Sequence, residues 1–572
     1  MQKVKEEVWE LKLGANYQSS GETTFTVWAP HHSNICLKLE GDKAVRMEKD
    51  ALGYFSITHQ ASPGDLYFYQ LENGSLRPDP VSRLLPKGVH GPTQVVDPSY
   101  TWHDEEWKKV EMCDALFYEL HVGTFTERGT FESIIDRLDY LVELGVNVIE
   151  LMPITQFPGR WNWGYDGVSL YAPCHTYGGP LGLKRLVDMC HKKGIAVCLD
   201  VVYNHLGPEG NILNDFGPYF HNRYHTPWGK ALNYDSAYSN EVRRYIIDNA
   251  RYWVEEYHID FLRLDAVHGI FDFSAHEMLH HLVEEVSIPI IAENELNDCR
   301  YLRTKEEGGW EFAALWNDDY HHAIHAYLTG ENHIYYADFG TLDHITTCLK
   351  ECFYYTGKYS KFRKRDVGNS AEGIPLEKFI CFIQNHDQVG NRPLSDRLST
   401  LISSEKLKVA ATLNILSPMT PMLFMGEEYG ETNPFDYFVD FSDEKLMRSI
   451  YEGRKREFRS ESMPFPGKES YMQSRLTWKT EGDFLQLYKT LIALRKEHPP
   501  RKGITSADVT VHQGEDWLAF EYPTRSDKVL AVLAVFKPMT LELPLAQREV
   551  LFSTQNITKK WNFEGECATV LV

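Results

Sequence analysis

The chain has 572 residues, of which 43% are hydrophobic and 24% are charged, as in an ordinary globular protein. This length exceeds the roughly 250–300 residues at which a single hydrophobic core stops growing, so more than one domain is expected. The net charge of −22 argues against nucleic acid or a membrane surface as partner, because phosphate binding needs clustered Lys and Arg.

The first predicted elements are short strands with alternating polar and apolar residues, which extend to about residue 98. They are FTVWAP at 25–30, ICLKLE at 35–40, YFSI at 54–57 and LYFYQLENG at 66–74. Turn residues separate them at a spacing that is typical of a β-sandwich. The segment 77–98 is rich in Pro and Gly, so we interpret it as a connector rather than a regular element.

Between residues 99 and 503 the pattern alternates between strands and helices. This alternation favours a closed (β/α)₈ barrel, the TIM barrel, over an open doubly wound sheet. The segment from about 206 to 240 has no clear helix and is expected to be a loop-rich insertion over the barrel mouth. From 504 to 572 the sequence again predicts strands, as in WLAFEYP and VLAVLAVF, and hence a C-terminal β domain. The eight barrel strands are predicted near Phe117, Val148, Val197, Leu262, Ile290, Leu315, Phe382 and Leu423.

Four apolar runs end in acidic residues or in an Asn-His-Asp cluster. They are VCLDVVYNH at 197–205, FLRLDAVH at 261–268, IIAEN at 290–294 and FIQNHDQVGN at 382–391. One such run would indicate little, because a strand-end Asp is usually a turn or cap residue. Four in order suggest a parallel barrel that gathers acids at one mouth. Paired carboxylates there indicate chemistry on a glycosidic bond.

Asp265 and Glu293 end consecutive predicted strands, so their carboxyl groups are expected to be neighbours. Cleavage of a glycosidic bond with retention needs a carboxylate nucleophile and a protonated acid about 5–5.5 Å apart. Arg263 lies two residues before Asp265 on the same strand face and is suited to hold that carboxylate in place. Taken alone, an Arg-x-Asp pair is more often a buried ion pair, so the other three runs decide the interpretation.

Two further strand ends carry polar clusters. Asp387 and His386 are either a hydrogen-bonded strand cap or a clamp on vicinal sugar hydroxyls. Asp200, Asn204 and His205 follow another apolar strand in the same manner. A single His at a strand end is more often structural than functional. Because two strand ends combine His with Asp, a functional role for His205 and His386 is favoured more than it would be for either alone.

Tyr165, in the segment WNWGYDG, is either a stacking platform for a sugar ring or a packed loop aromatic. Glu427 and Glu428 follow the eighth strand, and we expect them to be solvated or to line a groove. The ten cysteines include no C-x-x-C pair, and no zinc set surrounds Cys348 and Cys352, so all ten are interpreted as reduced and structural. We expect no cofactor and assign no metal ligands, and whether a structural ion is bound is left open.

The segments DVVYNH, RLDAVH, IAEN and QNHD resemble, in order and spacing, the four signature segments of the α-amylase superfamily of glycoside hydrolases. The resemblance covers roughly 116–499 and implies that Asp265 is the nucleophile, Glu293 the general acid/base and Asp387 the third acid. The chain departs from the family pattern at one place. After the nucleophile segment many members carry a basic residue and then His, whereas this chain has His268 and then Gly269, and this position belongs to the subsite on the leaving-group side. The substrate-binding residues that the resemblance and the strand ends imply are Tyr165, Asp200, Asn204, His205, Arg263, His268 and His386.

Within the superfamily the whole chain resembles members that release trehalose from maltooligosyl trehalose. The similarity lies in the connector, RLDAVHGI, WNDDYHH, YLTGENHIYYADFG and QNHDQVGN. It implies an immunoglobulin-like β-sandwich at 1–98, the barrel at 99–503 and a C-terminal β-sandwich domain at 504–572. The implied reaction cleaves the α-1,4 bond next to the trehalose end. Trp316, Asp318 and Asp319 are, from their position, candidates for recognising that terminal disaccharide.

Two alternatives remain open. A glycogen branching or debranching enzyme would combine a similar N-terminal domain with this barrel. A branching enzyme must exclude water and admit a second glucan chain, whereas a hydrolase lets water attack the covalent intermediate. A non-catalytic glucan-binding protein is a remote alternative, because loss of Asp265 or Glu293 would mark it and both are present. The start MQKVKEEVWELKLG lacks the apolar core of a signal peptide, so a cytoplasmic location is expected. The oligomeric state is left open.

Overall fold

A closed barrel of eight parallel strands forms the centre of the protein and confirms the predicted fold class. The computed structural model describes residues 9–541, 548–555 and 561–572. Each barrel strand lies at or directly beside its predicted position. We label them β1 to β8: Phe117–Leu120, Val148–Leu151, Ala196–Val201, Phe261–Leu264, Ile290–Ala292, Ala314–Trp316, Phe379–Cys381 and Thr420–Phe424.

The strands pair in sequence order, and β8 closes the barrel by pairing with β1. Their residues are buried on both faces, as expected when helices cover a parallel sheet. In the pairing of β3 with β4, Asp200 lies opposite Arg263. This register brings the polar ends of two strands together at the carboxyl end of the barrel, where barrel enzymes carry their active sites.

Helices connect the barrel strands and cover their outer face. The longest, Ser239–Tyr257, buries Trp253 and Tyr257. It leads directly into β4, so its packing fixes the strand that Asp265 follows. The main helices are Phe131–Ile135, Leu138–Leu144, Gly179–Lys192, Ser239–Tyr257, Met278–Glu285, Asp318–Thr329, Leu342–Glu351, Ser404–Ile415, Glu444–Glu457 and Asp483–Glu497. Shorter helices span Val122–Phe125, Leu213–Phe216, His386–Gly390, Leu398–Leu401 and Lys468–Gln473.

Two antiparallel sheets precede the barrel and form the predicted N-terminal β structure. The connector after them is mostly irregular, as predicted, with one short strand at Thr93–Gln94 that joins the second sheet. Asp79 of the connector accepts hydrogen bonds from the hydroxyls of Tyr67 and Tyr69 at 2.7 and 2.9 Å and so ties the connector to this sheet. The longer strands are Gly14–Tyr17, Glu22–Trp28 and Tyr54–Gln60 in one sheet and Cys36–Leu39 and Leu66–Gln70 in the other.

The insertion at about 206–240 contains regular structure that the sequence pattern did not reveal. A one-turn helix, Leu213–Phe216, is followed by an antiparallel hairpin of Phe220–Thr226 and Gly229–Leu232. At the turn of this hairpin, Trp228 stacks on His205 with ring centres 5.5 Å apart. The hairpin therefore reaches the barrel mouth.

A five-stranded antiparallel sheet follows the last barrel helix and carries the predicted C-terminal strands. Its members include Trp517–Pro523 and Val529–Val535, which are the segments WLAFEYP and VLAVLAV. All ten cysteines are free thiols, and eight of them are buried. Within the described residues, no helix is both long enough and apolar enough to cross a membrane. The strands of this sheet are Thr510–Gln513, Trp517–Pro523, Val529–Val535, Cys567–Leu571 and Val550–Ser553.

Candidate active site

A cavity of about 570 Å³ opens at the carboxyl ends of the barrel strands. Its size lies within the range of ligand pockets. Loops after strands β2 to β8 contribute to its wall, so residues far apart in the chain meet there. The predicted residues that line it are Tyr165, His205, Asp265, His268, Glu293, Asp318, His386 and Asp387.

Asp265 is held from two sides at the floor of this cavity. Nη1 of Arg263 donates to Oδ1 of Asp265 at 3.0 Å, and Nδ2 of Asn204 donates to Oδ2 at 2.9 Å. Arg263 is fully buried, and its guanidinium lies 4.2 Å from the ring centre of Trp316. Because both carboxylate oxygens are engaged by fixed donors, the Asp265 side chain has one defined orientation.

Glu293 lies beside Asp265 and shares its arginine. Nη2 of Arg263 is 3.0 Å from Oε2 of Glu293, and the backbone N–H of Ala266 donates to the same oxygen at 2.7 Å. Ala266 adopts a left-handed backbone conformation with φ of 39°, a strained geometry for a residue with a Cβ. Burial raises the pKa of Glu293 well above its usual value, and Asp265 and Asp387 raise it further, while Arg263 opposes them. Burial therefore favours the protonated form of Glu293.

His386 joins Asp387 to the barrel interior. Its backbone N–H donates to Oε2 of Glu119 at 2.9 Å, its Nδ1–H donates to the other oxygen of Glu119, and Nε2 is 2.8 Å from the Tyr165 hydroxyl. Burial lowers the pKa of His386, but the charges of Asp387 and Glu119 outweigh burial and raise it to about 9. The imidazolium thus places a positive charge beside Asp387, which also accepts a hydrogen bond from Asn391 at 3.0 Å.

Asp200 is hydrogen-bonded to both Arg263 and Tyr165 and so connects these two residues. It accepts hydrogen bonds from Nη1 of Arg263 at 2.8 Å and from the Tyr165 hydroxyl at 2.6 Å. Burial raises the pKa of Asp200 to about 6, although Arg263 acts in the opposite direction. The Tyr165 ring is stacked on His386, with centres 5.1 Å apart. Tyr165 also lines the cavity, so its role as a stacking platform stays a prediction.

Two further histidines, His205 and His268, line the cavity. The Nδ1–H of His205 donates to the side chain of Asn204, which in turn binds Asp265. Burial lowers the pKa of His205 and also that of His268. Nε2 of His268 is 3.9 Å from a carboxylate oxygen of Glu295. Both rings are therefore neutral at pH 7 and offer hydrogen bonds rather than charge.

Some residues predicted to bind substrate do not reach the cavity. Asp200, Asn204 and Arg263 are buried behind its wall, where they hold the acids instead. Trp316 is also wrongly predicted as a contact residue, because its ring is buried inside the barrel under Arg263. The barrel interior is packed in layers, and a strand residue one layer below the mouth cannot touch a ligand.

Of the two acids that follow Trp316, only Asp318 lines the cavity. Its carboxylate accepts a hydrogen bond from Nε2 of Gln388 at 3.0 Å, and burial raises its pKa to about 6. Asp319 points the other way and accepts from the backbone N–H groups of Tyr354 and Tyr355 at 2.9 and 2.8 Å. Its carboxylate therefore anchors a loop beside the cavity, and its role in recognising the trehalose end stays a prediction.

Glu427 and Glu428 are neither solvated nor groove-lining, contrary to the prediction. Both are buried, and Glu428 accepts hydrogen bonds from the hydroxyls of Tyr118 and Tyr140 at 3.1 and 2.8 Å. Burial raises the pKa of Glu427 to about 8 and that of Glu428 to about 7. The two carboxyl groups are thus packed behind β1 and β8, outside the cavity.

The sequence pattern missed several residues of the site. Glu119 lies one residue before the end of β1, so an acid near a strand end was a signal that could have found it. Arg363, Trp228 and Arg454 line the cavity from long connections after β6, β3 and β8. Such segments show no periodicity that relates them to the barrel mouth, so only the tertiary structure places them there.

Within the described residues, two groups of side chains are close enough together to hold a metal ion, and neither lies at the cavity. Both are mostly exposed. Their members are His276, His280 and Glu284 in one group and Glu111, Cys113 and Asp114 in the other.

Comparison with known proteins agrees with this geometry. The family model "Alpha amylase, catalytic domain" matches residues 116–225 and 214–502. A malto-oligosyltrehalose trehalohydrolase of Saccharolobus solfataricus is 47% identical over 93% of this chain and 94% of its own length. One from Arthrobacter ramosus is 42% identical over 83% of this chain and 87% of its own.

The fold is also matched closely by a solved structure. A crystal structure from Salmonella typhimurium, described as a candidate alpha amylase, superposes with a TM-score of 0.91 at 38% identity. The match covers 98% of this chain and 99% of that one. The chain therefore belongs to the α-amylase family of glycoside hydrolases and, within it, to the malto-oligosyltrehalose trehalohydrolases.

Proposed function

We propose that this enzyme hydrolyses the α-1,4-glucosidic bond next to the trehalose end of maltooligosyl trehalose, with retention of configuration. The observation that carries the chemistry is the contact of one buried arginine, Arg263, with both Asp265 and Glu293. It places an oriented carboxylate next to a carboxyl group that burial keeps protonated. A retaining glycosidase needs this pair.

In the first step Glu293 donates its proton to the glycosidic oxygen while Asp265 attacks the anomeric carbon from the opposite face. The bond to the leaving group breaks, trehalose departs, and a covalent glycosyl ester forms on Asp265. Arg263 and Asn204 hold Asp265 in line during the attack. Asp387 and His386 bind hydroxyls of the same glucose ring, and Tyr165 supports its apolar face.

In the second step the ionised Glu293 takes a proton from water, and the hydroxide attacks the anomeric carbon of the ester. The ester bond to Asp265 breaks, which releases the maltooligosaccharide and restores both carboxyl groups. Two displacements at one carbon retain its configuration. The arrangement requires no cofactor in either step.

Support for the substrate comes from the names of the relatives at 47% and 42% identity and from the cavity itself. Asp318, His268 and Trp228 line the cavity and offer hydrogen-bonding groups and an aromatic face. The charge of Asp318 acts on Glu293, and His268 lies 3.9 Å from Glu295, so these two are on the side of Glu293, where the leaving group lies. We assign the trehalose unit to this side. A glycogen branching or debranching enzyme is less well supported, because relatives that cover nearly the whole chain carry the trehalohydrolase name.

Product analysis tests the proposal directly. Purified enzyme is incubated with maltopentaosyl trehalose and, separately, with maltoheptaose, and the products are separated by chromatography. We expect trehalose and maltopentaose from the first substrate and much slower release of glucose or maltose from the second. Equal cleavage of both substrates would overturn the trehalose assignment, and longer chains with new branch points would support the branching alternative.

We further propose domain boundaries at 1–98, 99–503 and 504–572, and a cytoplasmic location. Limited proteolysis is expected to cut first near the two boundaries, and cell fractionation is expected to recover the enzyme with cytoplasmic markers. Recovery of the enzyme in the culture medium would contradict the location.

A further inference from the structure

One wall of the cavity is formed by a helix that carries none of the three catalytic acids. Helix Glu444–Glu457, in the connection after β8, presents five residues to the cavity at helical spacing. In the closed barrel, β8 lies four strands from β4, so this wall stands across the cavity from His268, which follows β4. The five residues of this helix wall are Leu446, Ile450, Gly453, Arg454 and Glu457.

Gly453 is the unusual member of the helix wall. A glycine inside a helix is less stable than an alanine, because it loses more backbone freedom on folding. The backbone here gives no reason for glycine, since Gly453 has no positive φ. A Cβ at this position would meet no atom within 4 Å among its neighbours, so close packing gives no reason either. What a side chain would occupy is cavity space.

The guanidinium of the next residue, Arg454, is held in place at the same wall by two hydrogen bonds and an aromatic contact. It donates to the carbonyl oxygen of Gly390 at 2.8 Å and to Oδ1 of Asn391 at 3.2 Å. Its guanidinium also lies 4.2 Å from the ring centre of Tyr437. Asn391 in turn donates to Asp387 at 3.0 Å, so the helix wall is linked to the acid that holds the cleaved glucose ring.

We propose that the helix wall is the binding site for the glucose units of the α-glucan chain that lie beyond the cleaved ring, on the side away from trehalose. Gly453 leaves the room for a sugar ring, Leu446 and Ile450 contact its apolar face, and Arg454 donates to its hydroxyls. This inference rests on the proposed function for its direction, because the leaving group is assigned to the opposite wall. It makes Gly453 a specificity-determining residue for chain length.

The test compares two substrates of different length with two variants. Gly453→Val fills the space, and Arg448→Val places the same side chain on an exposed position of the same helix away from the cavity. The short substrate carries one glucose unit beyond trehalose, and the long one carries five. We expect Gly453→Val to lower kcat/KM for the long substrate about tenfold more than for the short one. Arg448→Val is expected to match wild type with both.

Thermal unfolding separates binding from folding. Gly453→Ala is expected to unfold at a midpoint no lower than wild type, because alanine favours the helix, yet to lose part of the preference for the long substrate. An equal loss with both substrates, or no loss with either, would overturn the inference. If wild type releases no trehalose, the proposed function fails instead. Calorimetric binding of maltoheptaose to Asp265→Asn with and without Gly453→Val then still tests the helix wall, because no bond is cleaved.

Discussion

Nη1 of Arg263 lies 3.0 Å from Oδ1 of Asp265, two residues further along the same strand. The same nitrogen is 2.8 Å from Asp200, and the second terminal nitrogen contacts Glu293. A guanidinium presents several donors in one rigid plane, which an ammonium group does not. Arg263 therefore sets the relative positions of three carboxyl groups with one side chain.

Arg263→Lys keeps the charge and removes this geometry. We expect kcat to fall roughly a hundredfold, because small misplacements of reacting groups carry penalties of that order. KM is expected to change little, since Arg263 does not line the cavity. Steady-state kinetics checks this, with circular dichroism to verify folding. A folded variant with kcat within twofold of wild type would contradict the positioning role.

Glu293→Gln and Asp265→Asn are expected to fold and to lose activity for different reasons. Without a proton donor, Glu293→Gln is expected to lose about 10²–10⁴-fold in kcat on natural substrates. A maltosyl fluoride has a leaving group that needs no proton, so this variant is expected to form the glycosyl ester from it. Asp265→Asn has no nucleophile and is expected to remain inactive with both substrates. Mass spectrometry of the trapped ester distinguishes them, and wild-type turnover in either variant would refute the assignment.

Asp318→Asn is expected to move the alkaline limit of activity to lower pH. Activity requires protonated Glu293 and is lost as pH rises through its pKa, which burial raises and which the charge of Asp318 raises further. Removing that charge lowers the pKa of Glu293, so protonation is lost earlier. The pH profile of kcat/KM measures the limit. Asp318→Glu keeps the charge and serves as the control, and an unchanged limit in Asp318→Asn would argue against the coupling.

Glu119→Gln is expected to destabilise the enzyme in a pH-dependent way. The pKa of His386 is raised from 6.5 to about 9 in the folded protein, in part by Glu119. Stabilisation from a raised histidine pKa is fully present below about pH 6.5 and is lost as pH rises through about 9. The loss in unfolding midpoint should therefore be largest near pH 6 and smallest near pH 10. Differential scanning calorimetry across this range checks the trend, and a loss that grows with pH would refute it.

Much of this protein is determined by the sequence alone. The eight barrel strands, the order of the four acidic runs and the pairing of Arg263 with Asp265 follow from local patterns, because a strand is a short apolar run and alternate residues share a face. The family resemblance adds the roles of Asp265, Glu293 and Asp387. These features depend on residues that are near each other in the chain.

Only the tertiary structure decided how deep each side chain lies in the barrel and which residues far apart in the chain are in contact. Trp316 and Asp318 are two residues apart, yet one packs inside the barrel and the other lines the cavity. Glu427 and Glu428 resemble surface acids in sequence but are enclosed by tyrosines from other elements. Glu119 meets His386 across 267 residues of chain. A strand's alternation tells which face a side chain is on, but the layer it occupies depends on the tilt and stagger of all eight strands.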